Sequence, residues 1–191
     1  DGDSDPFCLA LFVIPVDRAS RKTGKLADGS GIATFEFHNV LLEAEMCLSS
    51  DASEAIASTL DLGRLMVSAE MLGAADSAFE LTLDYLKQRR QFGQAIGSFQ
   101  ALQHRAAWMF VRLELARSCV QAALDGADES RVSAKQTALA SYQAKSAINL
   151  VTREMIQMHG GVGMTTANPA GLFLKRARVL ECLLGGRGDD G

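Results

Sequence analysis

The stretch Tyr85–His104, "YLKQRRQFGQAIGSFQALQH", decides the fold, because it reads as a helix end, a tight turn and the start of a second helix. Upstream of it Leu65, Leu72, Phe79, Leu83 and Leu86 fall at helical spacing, in a segment that closes at Gly93. Downstream, Ser98 stands where an N-cap is wanted. Leu102, Ala106, Met109, Leu113, Ala116 and Val120 then form one apolar stripe, and Gly126 stops it. A third segment runs from about Ser130 to His159 and ends in Gly160-Gly161. A fourth has Asn168 as N-cap, Pro169 at the first helical position and Gly185-Gly186 at its end. Helices of this length with short connections predict an antiparallel four-helix bundle.

The chain changes character near residue 50. Before it, "FCLALFVIPV" (Phe7–Val16) and "IATFEFHNV" (Ile32–Val40) are β-branched and aromatic and read as strands, with "SRKTGKLADGSG" (Ser20–Gly31) as a loop between them. The expectation is a mainly α chain: residues 1–50 a partial β-domain, residues 51–191 the helical bundle. With 191 residues and 48% hydrophobic content there is enough apolar material for one substantial core. A net charge of −4, with lysine and arginine scattered, offers no surface for nucleic acid. Cys8, Cys47, Cys119 and Cys182 lie far apart, and the histidines lack ligand spacing, so neither a metal site nor a disulfide framework is indicated. Reduced thiols in a cytoplasmic protein are expected, and no apolar run approaches the ~18 residues of a membrane span. The opening Asp1-Gly2-Asp3-Ser4-Asp5-Pro6 lacks a methionine, from which the chain is expected to begin inside a longer polypeptide.

The polar chemistry gathers in the loops. Arg89, Arg90 and Gln91 stand at a helix end, Gly93 and Gly97 around a turn, and Phe99, Gln100, Gln103 and His104 at a helix start. Guanidinium groups and helix N-terminal amides both favour anions, so a phosphate suits this concavity. A plain hairpin whose basic last turn complements the helix macrodipole suits the same spacing. In "QMHGGVGM" (Gln157–Met164) the glycines either admit a ligand or simply end a helix. His104 and His159 read as polar helix-end residues, since neither has a serine, cysteine or aspartate within local reach.

Taken together, "FEFHNVLLEAEMCL" (Phe35–Leu48), Tyr85–His104 and "QMHGGVGMTTANP" (Gln157–Pro169) resemble the C-terminal half of acyl-CoA dehydrogenases. These flavoproteins oxidise an acyl thioester to its 2,3-enoyl form, in fatty-acid or steroid side-chain β-oxidation. The resemblance implies an FAD site shared between subunits, in which Arg89 and Gln100 meet the pyrophosphate region. Phe92, Gln157, Gly160 and Gly161 would then contact the adenosine-diphosphate portion. It also implies a CoA contact at Asp61 and Arg64, a pair that spacing alone explains as an intrahelical ion pair.

The family's base is a glutamate just before a Gly-Thr, and "KRARVLECLLGG" (Lys175–Gly186) places Leu184 there, with Gly186 where threonine is expected. A minority of relatives carry the base immediately before the CoA arginine, where this chain has Gly63. An aliphatic side chain accepts no proton, and a general base contributes ~10²–10⁴ in rate. Glu181 lies one helical turn from Leu184, ~4.5 Å along the axis. The expected protein is therefore a base-less subunit, resembling those of heteromeric actinobacterial acyl-CoA dehydrogenases. It would act in an α2β2 complex with a partner that carries the glutamate, or as the equivalent homotetramer. An active subunit with an unrecognised base and a flavin-free scaffolding module are the alternatives.

Overall fold

The computed structural model describes residues 9–127 and 132–184. Expected features at Asp1–Pro6, Phe7, Cys8, Ser130, Gly185 and Gly186 lie outside the described residues. The chain divides into two compact units, residues 1–60 and 61–191.

The first unit carries β1 (Leu11–Phe12), β2 (Ser20–Lys25), β3 (Gly31–Glu36) and β4 (Cys47–Ser49), of which β1 pairs with β4 and β2 with β3, both antiparallel. Ser20–Gly31, expected as a loop, is half strand. Its side chains are exposed along the whole of β2, so there is no apolar alternation to betray it. The hairpin is closed by a tight turn in which the Asp28 carboxylate accepts from the Ser30 N–H at 2.9 Å and Gly29 takes φ +88°. Lys22 pairs with Glu36 across the strands at 2.8 Å. Ile32, Phe35 and Phe37 of this unit remain exposed, and Ala52 is its one buried residue among those described.

The second unit is helical. It holds most of α1 (Ser53–Gln88), which begins in the first unit, then the short pair β5 (Arg90–Gln91) and β6 (Gln94–Ala95). After these come α2 (Gln100–Asp125), α3 (Ala134–His159) and α4 (Ala170–Cys182). The helix ends follow local chemistry. Ser98 does not cap α2, because its hydroxyl donates to the Ala95 carbonyl at 2.7 Å inside a 3-10 turn, and Phe99 takes the capping position. Ser133 does cap α3, accepting from the Gln136 N–H, and the Asn168 side chain accepts from Ala170 N–H at 2.9 Å to start α4.

Alanine dominates the core. Ala75, Ala78, Ala116, Ala140, Ala144, Ala147 and Ala177 are fully buried, interleaved with Leu65, Met71, Met109, Leu113, Ile148, Met155 and Leu180. Small residues let helix axes approach closely, while each fully buried Leu or Met contributes ~1.5–3 kcal/mol. Ion pairs pin the register at the rim: Arg105–Glu154 at 2.6 Å joins α2 to α3, Arg117–Asp76 at 2.8 Å joins α2 to α1, and Arg176–Glu70 at 2.6 Å joins α4 to α1. The hydrogen bond from Glu154 raises the pKa of Arg105, and those from Glu114 and Asp76 raise that of Arg117. These guanidinium groups are structural clamps.

The C-terminal end of α4 is tied to α1. Leu184 adopts φ +52°, a left-handed conformation uncommon for a side-chain-bearing residue, and its carbonyl accepts from Arg64 Nε–H at 2.9 Å. Its Cδ1 fills the notch over Gly63, only 2.6 Å from where a Cβ there would sit. Leu184 is 38% exposed, so its side chain has room to swing aside. Gly63→Ala should therefore gain the ~1 kcal/mol of helix propensity in full only in a Leu184→Ala background, and clearly less in the wild type. Urea unfolding of the four-variant cycle measures this, and equal effects in both backgrounds would show that Leu184 does not occupy the notch.

Candidate functional site

One end of the helical unit forms an open groove of about 510 Å³. Its walls come from the last turn of α1 and the β5–β6 hairpin on one side, and from the end of α3 and the following 3-10 turn (Gly160–Met164) on the other. Tyr85, Arg89 and Gln91 face Gln157, His159, Gly160 and Gly161 across it.

The hairpin wall is built by backbone geometry. Arg89 N–H makes the last helical bond, to the Tyr85 carbonyl at 2.8 Å, and the Arg89 carbonyl accepts from Ile96 N–H at 2.8 Å as the chain returns. Between them Phe92 and Gly93 take φ +53° and +82°, the double left-handed geometry of a two-residue hairpin turn. Gly97 then passes so close to α1 that a Cβ would lie 2.9 Å from the Leu86 carbonyl oxygen. The turn residue is phenylalanine rather than the usual asparagine or aspartate, and its ring is 90% exposed, in edge contact with Phe99 at 6.0 Å.

Glycine builds the opposite wall as well. Gly160 takes φ +62°, ψ −144°, a region open only to glycine. A Cβ on Gly163 would meet the Ile156 carbonyl at 2.7 Å, so the chain folds back tightly on α3. Beneath this turn the His159 ring, 6% exposed, stacks on Tyr85 with centroids 4.2 Å apart and planes at 25°. His159 Nδ1 lies 2.7 Å from the Met155 carbonyl, and the Tyr85 hydroxyl donates to the His159 carbonyl at 3.4 Å.

Of the expected cofactor residues, Arg89, Gln157, Gly160 and Gly161 line the groove together. Arg89 is exposed and forms no ion pair among the described residues, unlike Arg105 or Arg117. Phe92 and Gln100 do not line it; they sit at the hairpin tip and at the first residue of α2, both exposed. The Tyr85–His159 stack escaped sequence reading, because a ring pair 74 positions apart leaves no local signal.

Asp61, Gly63, Arg64 and Leu184 also converge, at the junction of α1 with the end of α4. Arg64 donates to Asp61 at 2.9 Å and to the Leu184 carbonyl at 2.9 Å, so it is both an intrahelical ion-pair partner and a tie between helices. Glu181, one turn before this junction, is bound to Arg178 at 2.8 Å. Among the described residues no cluster of histidine, cysteine and carboxylates could hold a metal ion, and no helix is long and apolar enough to cross a membrane.

Residues 53–187 match the family model described as acyl-CoA dehydrogenase, C-terminal domain. The acyl-CoA dehydrogenase IpdE2 of Mycolicibacterium smegmatis is 43% identical over 125 residues, covering 65% of this chain and 39% of that relative. The structure of butyryl-CoA dehydrogenase from Megasphaera elsdenii superimposes with a TM-score of 0.85 at 27% identity, over 97% of this chain and 50% of that one. That of the ChsE4-ChsE5 complex from Mycobacterium tuberculosis does so with a TM-score of 0.81 at 25% identity, over 93% of this chain and 48% of that one. The chain thus spans half or less of the length of these relatives. With its bundle, its glycine-walled groove and a family match over most of its length, the chain belongs to the acyl-CoA dehydrogenase family, whose C-terminal helical domain it carries.

Proposed function

We propose that this chain is a subunit of an FAD-dependent acyl-CoA dehydrogenase complex that binds the diphosphate end of the cofactor while a partner subunit supplies the catalytic base. The observation that carries the reading is the meeting of Gly63 and Leu184. The two positions from which relatives deliver a carboxylate share one apolar contact here, and Glu181 is committed to Arg178.

The groove fits a diphosphate. Arg89 supplies a guanidinium fork unpaired among the described residues, Gln157 an amide, and Gly160 and Gly161 a backbone with no Cβ to keep a ligand at a distance. Phe92 and Gln100, exposed outside the groove, fit contacts to a cofactor carried mainly by a neighbouring subunit; the left-handed backbone at Phe92 is a strain consistent with function. When bound, FAD supplies the acceptor for the hydride leaving the substrate's β-carbon. This chain's own contribution is charge neutralisation and orientation, with Arg64 keeping 40% of its side chain exposed for a CoA group despite its bond to Asp61. That one similar structure is named as a complex of two proteins supports an α2β2 assembly with a partner acyl-CoA dehydrogenase subunit, a homotetramer being the alternative. On this reading residues 1–50 end the middle β-domain, residues 51–191 form the bundle, the complex is cytoplasmic, and its substrate is an acyl-CoA such as a fatty-acid or steroid side-chain thioester.

The Arg89→Ala variant of the complex should retain FAD about 10- to 100-fold less tightly, since a charged hydrogen bond contributes ~1.5–3 kcal/mol. Bound flavin absorbance after dialysis reads this directly, and unchanged retention would remove Arg89 from the site. Replacing the partner's glutamate with glutamine should abolish flavin reduction by acyl-CoA, and Leu184→Glu in this chain should not restore it. Stopped-flow bleaching of the flavin is the measurement; substantial reduction surviving the partner's change would mean that this chain holds a base.

A further inference from the structure

His159 is absorbed by none of the roles above, although it is the most buried ionisable side chain lining the groove. Its tautomer follows from geometry. The Met155 carbonyl, 2.7 Å from Nδ1, can only accept a hydrogen bond, so Nδ1 carries the proton. In the neutral ring Nε2 is then left with a lone pair, and it makes no hydrogen bond among the described residues. Stacking against Tyr85 at 4.2 Å holds the ring plane, and the Tyr85 hydroxyl bond to the His159 carbonyl holds the backbone beneath it. Nε2 is thus an oriented acceptor on a residue that lines the groove, where the one side chain of fixed charge among the described lining residues, Arg89, is purely a donor.

A phosphate oxygen, itself an acceptor, gains nothing from such a nitrogen, whereas a hydroxyl does. We propose that His159 is a specificity residue of the groove, its Nε2 accepting a hydrogen bond from a ribose hydroxyl of the nucleotide whose diphosphate Arg89 neutralises. The proposal rests on the diphosphate reading above and adds to it that the ligand must present a hydroxyl donor beside its phosphates. An anion end and a donor end at opposite polarity define a ribonucleoside diphosphate and disfavour simple polyphosphates.

The test uses the complex as isolated from cells and stripped of its nucleotide, titrated calorimetrically with ADP, 2′,3′-dideoxy-ADP and inorganic pyrophosphate. The expected result is that ADP binds about tenfold more tightly than its dideoxy analogue. In His159→Phe, which keeps a ring to stack on Tyr85, that ratio should fall to about one with pyrophosphate affinity unchanged. A wild-type ratio near one overturns the proposal without any variant having to fold. A ratio that survives in His159→Phe overturns it too, as does a loss of pyrophosphate affinity there, which would make the imidazole a donor to phosphate. The underlying reading is tested separately by Arg89→Ala: if that change leaves all three ligands unaffected, the diphosphate assignment fails and the ribose assignment with it. If it weakens all three while the hydroxyl makes no difference, only the role of His159 falls.

Discussion

The buried face of α3 governs the arrangement of everything around it. Its buried side chains begin small, with Thr137, Ala140, Ala144 and Ala147, and grow to Ile148, Val151, Met155 and Met158 toward its C-terminal end. Small residues allow close axial approach, and large flexible ones fill the space that opens at the other end. Arg105 with Glu154, and Arg112 with the Ser146 hydroxyl, set α2 antiparallel to this helix in one consistent register. The start of α2 and the end of α3 consequently lie at the same end of the bundle, and Gly97 presses the hairpin before α2 onto the last turn of α1. A groove between helix ends is the geometric consequence. No loop had to be long to make it.

Much of that architecture is legible because the helices are long and because α2 and α3 stop at Gly126 and Gly160; α1 ends at Gln88, ahead of the expected Gly93. The α2 stripe through Met109, Leu113, Ala116 and Val120 is buried as its spacing predicts. On α1 the expected Leu65, Leu72 and Leu86 are buried, but the buried line also takes in Ser68, Met71, Ala75, Ala78 and Thr82, while Phe79 and Leu83 are only half buried. Serine and threonine take core positions there because their hydroxyls bond back to carbonyls four residues earlier, Ser68 to Arg64 and Thr82 to Ala78, both at 2.7 Å. A reading by leucines alone misses alanine and hydroxyl packing. It misses β2 for the converse reason, since a strand with both faces exposed carries no hydrophobic period.

The candidate site was legible in part, and the division has a physical basis. Arg89, Gly160 and Gly161 stand out because charge and backbone freedom at helix ends are visible in one dimension, whereas Gln157 and the cofactor role of all four came from the family resemblance. What sequence could not show is that the Tyr85 ring sits on His159, which fixes the two walls relative to each other and converts a polar helix-end histidine into a buried one. Such a pair is worth ~0.5–1.5 kcal/mol beyond its buried area, modest against the core but placed where it orients the wall.

The junction of α1 and α4 shows why two separate sequence positions must be read as one. Gly63 and Leu184 lie 121 residues apart, yet the methyl of one occupies the volume in which a side chain on the other would begin. A carboxylate delivered from position 63 would have to displace Leu184, and a glutamate at 184 would inherit a backbone at φ +52° whose carbonyl is already held by Arg64. Changing either residue alone therefore meets resistance from the other. The same guanidinium neutralises Asp61 and clamps the end of α4, so any side chain placed in the notch enters a local field already balanced between Arg64 and Asp61. An apolar plug is the filling that leaves that balance undisturbed, and it lets the end of α4 be held to α1 by the bond from Arg64.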